Sequence, residues 1–348
     1  MTGRLLRVLG APLAALLVAL TLTRAPAAEI TDAAGRAVRV PDVVERVFAA
    51  GPPASIVLFT LAPGKLLGWT RALPPAAAAY LPERFRDLPV HGRLTGRGND
   101  INLETVLKLR PDLVVDIGSV GATYASLADR VEAQTGVPAL LLGGRLEELP
   151  DTYRLLGRIL RVEARGEALA AAIESMLGEA ARRIASVPPD ARPRVYYARG
   201  PEGLDTALAG SINVEALDVV GARNVAGASA GGNGLASVSL EQVLAWNPQV
   251  IVTVDPVFAA KVGDDPLWST VAAVRSGRVY LAPQYPFPWV DFPPSVNRVI
   301  GVRWLAAILY PDLFPEPLED LTRSFYALFY QTELGDEDLA RLLYRRPG

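Results

Sequence analysis

Two stretches of this chain repeat each other without a gap, and that repeat limits the fold more than any other feature. Ile101–Val115 reads INLETVLKLRPDLVV and Val238–Val252 reads VSLEQVLAWNPQVIV. Leu103/Leu240, Glu104/Glu241, Val106/Val243, Leu107/Leu244, Pro111/Pro248 and Val115/Val252 match at a constant offset of 137 residues. Each copy opens on a capping residue, Asn102 or Ser239, runs through a short helical pattern, meets proline and ends in a β-branched run. Ser239 with Gln242 also fits a capping box. A second echo precedes both copies, RVFAAGPPAS (Arg46–Ser55) against RVYYARGPEG (Arg194–Gly203), each a strand entering a Gly-Pro turn. Two doubled motifs in the same order imply two related lobes.

The pattern around the repeats is α/β. Candidate strands are Arg46–Ala50, Asp112–Ile117, Ala139–Leu142, Arg194–Ala198, Gln249–Val254 and Arg278–Ala282. Several are apolar throughout, as parallel strands covered on both faces are, and helical stretches separate them. Between the lobes, Glu163 to Val187 carries Leu169, Ile173, Met176, Leu177, Ala180 and Ile184 on one helical face. Pro188-Pro189 ends it, because proline cannot continue the hydrogen-bond ladder. The expected architecture is two lobes with central, mostly parallel sheets flanked by helices, joined by one long interlobe helix. The division is 1–28 signal peptide, 29–160 N-terminal lobe, 161–190 interlobe helix and 191–348 C-terminal lobe.

Residues 1–28 combine Arg4 and Arg7, a 15-residue apolar run from Val8 to Leu22 and the small-residue ends Ala25-Pro26-Ala27 and Pro26-Ala27-Ala28. That is the three-part layout of a secretory signal, and the run is short for a membrane span and broken by Pro12. Its removal would take the net charge from −2 to −5, because it holds three arginines and no acid. The chain has no cysteine and one histidine, His91. Disulfides, thiolate metal sites, cysteine nucleophiles and lipid-modified cysteines are excluded, and bare zinc or copper capture lacks donors. No basic excess marks a nucleic-acid partner. A soluble periplasmic monomer is expected.

These features resemble the periplasmic binding proteins of ABC importers for iron–siderophore complexes, haem and cobalamin. The resemblance rests on the opening Ile30–Ser55, the N-lobe NLETVLKLRPDLV, the interlobe helix and the C-lobe SLEQVLAWNPQVIV. FPWVDFPPSVNRVIGVRWLAAILYP (Phe287–Pro311) is similar to a subgroup that includes molybdate-binding proteins. The resemblance implies a ligand held between the lobes with no catalytic residues and no cofactor. It also implies delivery to an ABC permease dimer, with Glu104 and Glu241 as docking acids. The same two glutamates sit in first helical turns, where the helix dipole alone favours a carboxylate.

Ligands of open parallel sheets bind beyond the strands' carboxyl ends. This rule points to the turns at Gly51–Ser55, Gly118–Gly121, Arg199–Gly203 and Asp255–Phe258. Candidate ligand-binding residues are Arg199, Arg97, Tyr124, Tyr197, Tyr285, Trp289, Asp291 and Arg298. Guanidinium groups offer paired donors to carboxylate, catecholate or oxyanion oxygens, and aromatic faces pack flat chelators. An iron–siderophore or related metal complex is the expected ligand, with a molybdate- or tungstate-type oxyanion as the alternative. A reading of another class, a secreted serine hydrolase, rests on Gly227-Ala228-Ser229-Ala230-Gly231. No apolar strand leads into Ser229, and the one histidine lies far upstream.

Overall fold

The computed structural model describes residues 28–96, 101–228 and 234–343. The expected strands form two separate parallel sheets. Val47–Ala49, Leu113–Gly118 and Ala139–Gly143 lie side by side in chain order. In the second sheet the order is Val279–Leu281, Val250–Thr253, Arg194–Ala198 and Arg223–Asn224. Ala28–Thr31 and Ala37–Val40 make an antiparallel hairpin, and Asp205–Ala207 pairs with Leu235–Ser237.

Why the strands are apolar without alternation is visible in their packing. Successive residues point to opposite faces, and both faces are covered. In the first sheet Val47, Ala49, Leu113, Val115, Leu140 and Leu142 join one core, while Phe48, Val114 and Ala139 join another. In the second sheet Val195, Tyr197, Val250 and Val252 face the first of these cores, and Tyr196, Ala198 and Ile251 face a third. One continuous apolar core therefore runs through both halves of the molecule.

The repeated motif folds twice in the same way. Leu103–Leu109 is capped by Asn102, whose Oδ1 accepts from Thr105 N at 3.3 Å. Leu240–Trp246 is capped by Ser239, whose Oγ accepts from Gln242 N at 3.2 Å. Both helices close on a left-handed residue, Arg110 at φ 48° and Asn247 at φ 43°. Proline and a parallel strand follow each.

The connecting helix spans Glu163–Ile184, 22 residues, about 33 Å at 1.5 Å per residue. Leu169, Ala170, Ile173, Ala180 and Ile184 form its buried stripe, while Met176 and Leu177 lie at the stripe's edge. It crosses the helix Leu149–Ile159 at Gly157 and Gly166. A Cβ on Gly166 would stand 2.8 Å from the Tyr153 carbonyl oxygen, so only glycine permits this approach.

This helix is not the sole link between the halves. The closing helices, Leu318–Phe325 and Asp336–Leu343, and the turn between them pack on the second half and also reach the first. Tyr330 stacks on Phe59 at 6.3 Å, Phe329 meets Tyr153 at 6.3 Å, and Tyr80 Oη donates to Asp338 O at 3.3 Å. Arg165 on the long helix donates to Leu328 O at 3.1 Å. The aromatic run Phe325–Tyr330 supplies the area that makes this contact favourable. Among the described residues no helix is long and apolar enough to cross a membrane.

Candidate ligand-binding cleft

The strands of the second sheet end at Ala198, Thr253 and Leu281, and the segments that leave them border a cavity of about 580 Å³. Arg199, Gly200, Val254 and Asp255 line it, with Gln284–Pro288 and Phe292 beside them. Arg71–Pro74 and Ala77 close it from the first half of the chain. The cavity thus lies between the halves and beyond strand carboxyl ends.

Arg199 is placed by its backbone. Its N–H donates to Asp205 O at 2.7 Å and its carbonyl accepts from Asp205 N at 3.2 Å, closing a tight loop that turns at Gly200. Gly200 has φ 73°, a conformation that suits a residue without a Cβ. The Arg199 Nε lies 3.3 Å from Asp291 Oδ2. Asp291 is fully buried and also accepts from Tyr197 Oη at 3.0 Å and Asn213 Nδ2 at 2.7 Å. Burial first, and the Asp291 charge second, hold the Tyr197 phenol well above its ordinary pKa, so it serves as a neutral donor. The trio orients the guanidinium from behind.

Arg71 comes from the opposite wall. Burial, and then repulsion from Arg93, pull its pKa below the ordinary arginine value. No carboxylate pairs with it among the described residues; its nearest polar partner there is Phe292 O, 3.5 Å from Nη2. Acids at the cavity are otherwise engaged. Asp255 caps the helix Pro256–Lys261 by accepting from Val257 N and Phe258 N, and Asp205 accepts from Ser237 Oγ. The Phe292 ring centroid lies 5.6 Å from the guanidinium carbon of each arginine. Tyr285 completes an aromatic wall and stacks on Tyr80 of the first half at 5.7 Å.

Of the residues singled out from sequence, Arg199 and Tyr285 line this cavity. Tyr197 and Asp291 stand one layer behind it, buried and acting through Arg199. Two candidates are core residues instead. Trp289 is fully buried, with its indole N–H donating to Tyr326 Oη at 3.2 Å. Arg298 is fully buried and bonds Glu215 Oε2 at 2.5 Å, Ser295 O and Ile212 O at 3.1 Å, and Gly144 O. Its charge is spent inside the protein. Tyr124 borders a separate small pocket with Thr95, Asp116 and Leu127. Asp116 there is pushed up to about 6 by desolvation, against hydrogen bonds from Thr95 and the Ile117 N–H. His91 packs against Gly68, with Nε2 3.2 Å from Leu67 O. Arg97 and Ser229 lie outside the described residues.

Arg71 and Phe292 were not among the sequence candidates. A signal for Arg71 existed: Leu66-Leu67-Gly68-Trp69 is a short apolar run, and bridges at Leu66 and Trp69 extend the sheet edge. Arg71 follows that run much as Arg199 follows its strand. Glu104 and Glu241 occupy matching places in their helices and both are exposed, Glu104 by 66%. Lys108 holds the Glu104 carboxyl below its usual range, and the Glu241 backbone N–H and Ser239 do so for Glu241. Among the described residues no group of three or more His, Asp or Glu side chains is arranged to hold a metal ion.

Two sheets joined by a long helix, with a largely apolar cavity that carries two arginines between the halves, define a two-lobed binding protein. The Periplasmic binding protein family model matches residues 65–286, and the chain belongs to that family, the solute-binding proteins of ABC transporters. A solved ABC transporter solute-binding protein from Sulfurospirillum deleyianum is 31% identical, with a TM-score of 0.83 over 91% of this chain and 99% of that one. The molybdate-binding protein MolA of Haemophilus influenzae is 27% identical over 90% of this chain and 93% of its own length. A periplasmic solute-binding protein from Veillonella parvula is 25% identical, with a TM-score of 0.73 over 91% and 97% of the two chains. Binding proteins of this kind deliver their ligands to a membrane permease.

Proposed function

We propose that this protein is the periplasmic receptor of an ABC importer for an anionic metal complex, an iron–siderophore or related chelate, held between Arg71 and Arg199. The supporting observation is Arg71, a half-buried guanidinium with no carboxylate partner among the described residues, facing a cavity that Arg199 borders from the other half. A desolvated cation of this kind favours a ligand that brings the missing negative charge. The cavity of about 580 Å³ falls within the range of sites for organic ligands. Tyr285 adds a flat face for a chelator.

A second reading, a molybdate- or tungstate-type oxyanion, is favoured by the nearly full-length similarity to MolA. Four oxygens at water's share of liquid volume occupy only about 120 Å³. An oxyanion would therefore require the lobes to draw closer or water to fill the remainder. In either reading Glu104 and Glu241 present one carboxylate per lobe to a permease dimer, a pairing suited to electrostatic steering. The first 28 residues direct export in this proposal.

The test is calorimetric titration of the exported protein with a ferric tris-catecholate, a ferric hydroxamate, haem, cobalamin, molybdate and tungstate. Native mass spectrometry of the freshly purified protein identifies whatever it carries. Arg71→Ala should weaken binding of the anionic ligand at least tenfold, the effect of about 1.4 kcal/mol, without loss of stability. Unchanged affinity in Arg71→Ala would overturn the cleft assignment.

A further inference from the structure

Phe292 has a combination of features that packing does not explain. It is a large apolar side chain left 56% exposed, whereas Asp291 before it and Pro293 after it are both buried. Its backbone has φ 67°, a region that a bulky residue occupies only under constraint. The segment leading to it is fixed, since Trp289 and Val290 are fully buried and Asp291 is gripped by Tyr197, Asn213 and Arg199. One ring thus projects from a rigid loop into the space between the halves. There it lies near the guanidinium groups of both Arg71 and Arg199.

We infer that Phe292 is a selectivity residue that competes with the ligand for both arginines. This inference rests on the reading of Arg71 and Arg199 as the anion-binding pair. An aromatic face attracts a guanidinium through its quadrupole, and that attraction is weaker than a charge-assisted hydrogen bond. A ligand carrying charge to both arginines displaces the ring, while a neutral molecule, or one reaching a single arginine, does not. The ring also bridges the two halves, so its displacement couples ligand entry to lobe spacing. Tyr80–Tyr285 and Arg298–Gly144 also join the halves, so the ring adds to that coupling without supplying all of it.

Phe292→Leu keeps bulk and removes the quadrupole, and Phe292→Ala removes both. With molybdate and a ferric tris-catecholate as probes, both variants should bind the recognised anion about three- to tenfold more tightly than the parent, the scale of a lost cation–π competitor. Tighter binding of neutral cobalamin should not accompany it. Weaker anion binding in Phe292→Leu means that the ring packs on the ligand, and overturns the inference while Arg71→Ala still loses binding. If Arg71→Ala binds normally, the cleft reading itself has failed. A second measurement needs no ligand. The chain has no cysteine, so Gln134→Cys and Ser269→Cys, both exposed and one in each half, accept spin labels cleanly. Phe292→Leu should broaden or lengthen the distance between them; an unchanged distribution overturns the bridging role.

Discussion

Replacing Arg298 should damage the fold and spare the ligand. The guanidinium is fully buried and Glu215 is 6% exposed, with 2.5 Å between them. Arg298 also satisfies three carbonyls, those of Gly144, Ile212 and Ser295. Gly144 belongs to the first half, so the residue fastens the two halves together. Removing one partner of a buried pair costs about 3–5 kcal/mol, because the other charge stays desolvated. Here the lower half of that range applies, since Glu215 keeps the Leu146 N–H at 2.9 Å and Arg145 at 3.2 Å. Arg145 is 39% exposed and compensates only in part. Arg298→Met retains the buried stem volume and should lower urea-unfolding stability by about 3 kcal/mol. Adding Glu215→Gln removes the stranded charge and leaves an acceptor for Leu146, so the double variant should recover at least about 1 kcal/mol. Ligand affinity of the folded fraction should stay within twofold at low temperature. Full stability with lost binding in Arg298→Met would refute the argument and return Arg298 to the ligand.

Other perturbations test other parts of the structure. Asp116 has its pKa raised from 3.8 to about 6 by desolvation, so its native form holds a proton that the unfolded chain releases. Its contribution to stability is full below about pH 4 and is lost as pH rises through 6; Asp116→Asn should be more stable than the parent by at most about 3 kcal/mol above pH 7 and equal to it near pH 4. Urea titrations across that range decide it. Gly301→Ala would place a Cβ 1.9 Å from the Trp289 carbonyl oxygen; it should cost more than about 2 kcal/mol and shift the loop bearing Asp291, weakening ligand binding as well. Glu104→Ala with Glu241→Ala should abolish uptake by cells while calorimetric affinity stays within twofold. Lost affinity there would contradict the docking role.

The duplicated architecture was legible in the linear chain for a local reason. A capping residue, a short helix, proline and a strand are all specified within about fifteen positions, and both copies fold in that order; the left-handed stops at Arg110 and Asn247 came from the structure. Strand-end placement likewise put Arg199 at the cavity, because its position depends on the strand before it and the glycine turn after it. The Phe287–Arg298 segment obeyed no such local rule. Trp289, Asp291 and Arg298 look equally like ligand residues in sequence and Phe292 does not stand out, yet Trp289 is core, Asp291 supports Arg199, Phe292 projects into the cavity and Arg298 is locked in an ion pair. Their fates follow from partners that are 37, 78, 221 and 83 positions away: Tyr326, Asn213, Arg71 and Glu215. The contact of the closing helices with the first half has the same origin. Their aromatic residues require burial, but periodicity does not say against which surface. The sequence by itself therefore determined the repeated units and the ends of their strands. Only the tertiary structure decided which polar side chains were used on internal charge and which were left facing the cavity, because desolvation and pairing depend on what long-range packing brings alongside.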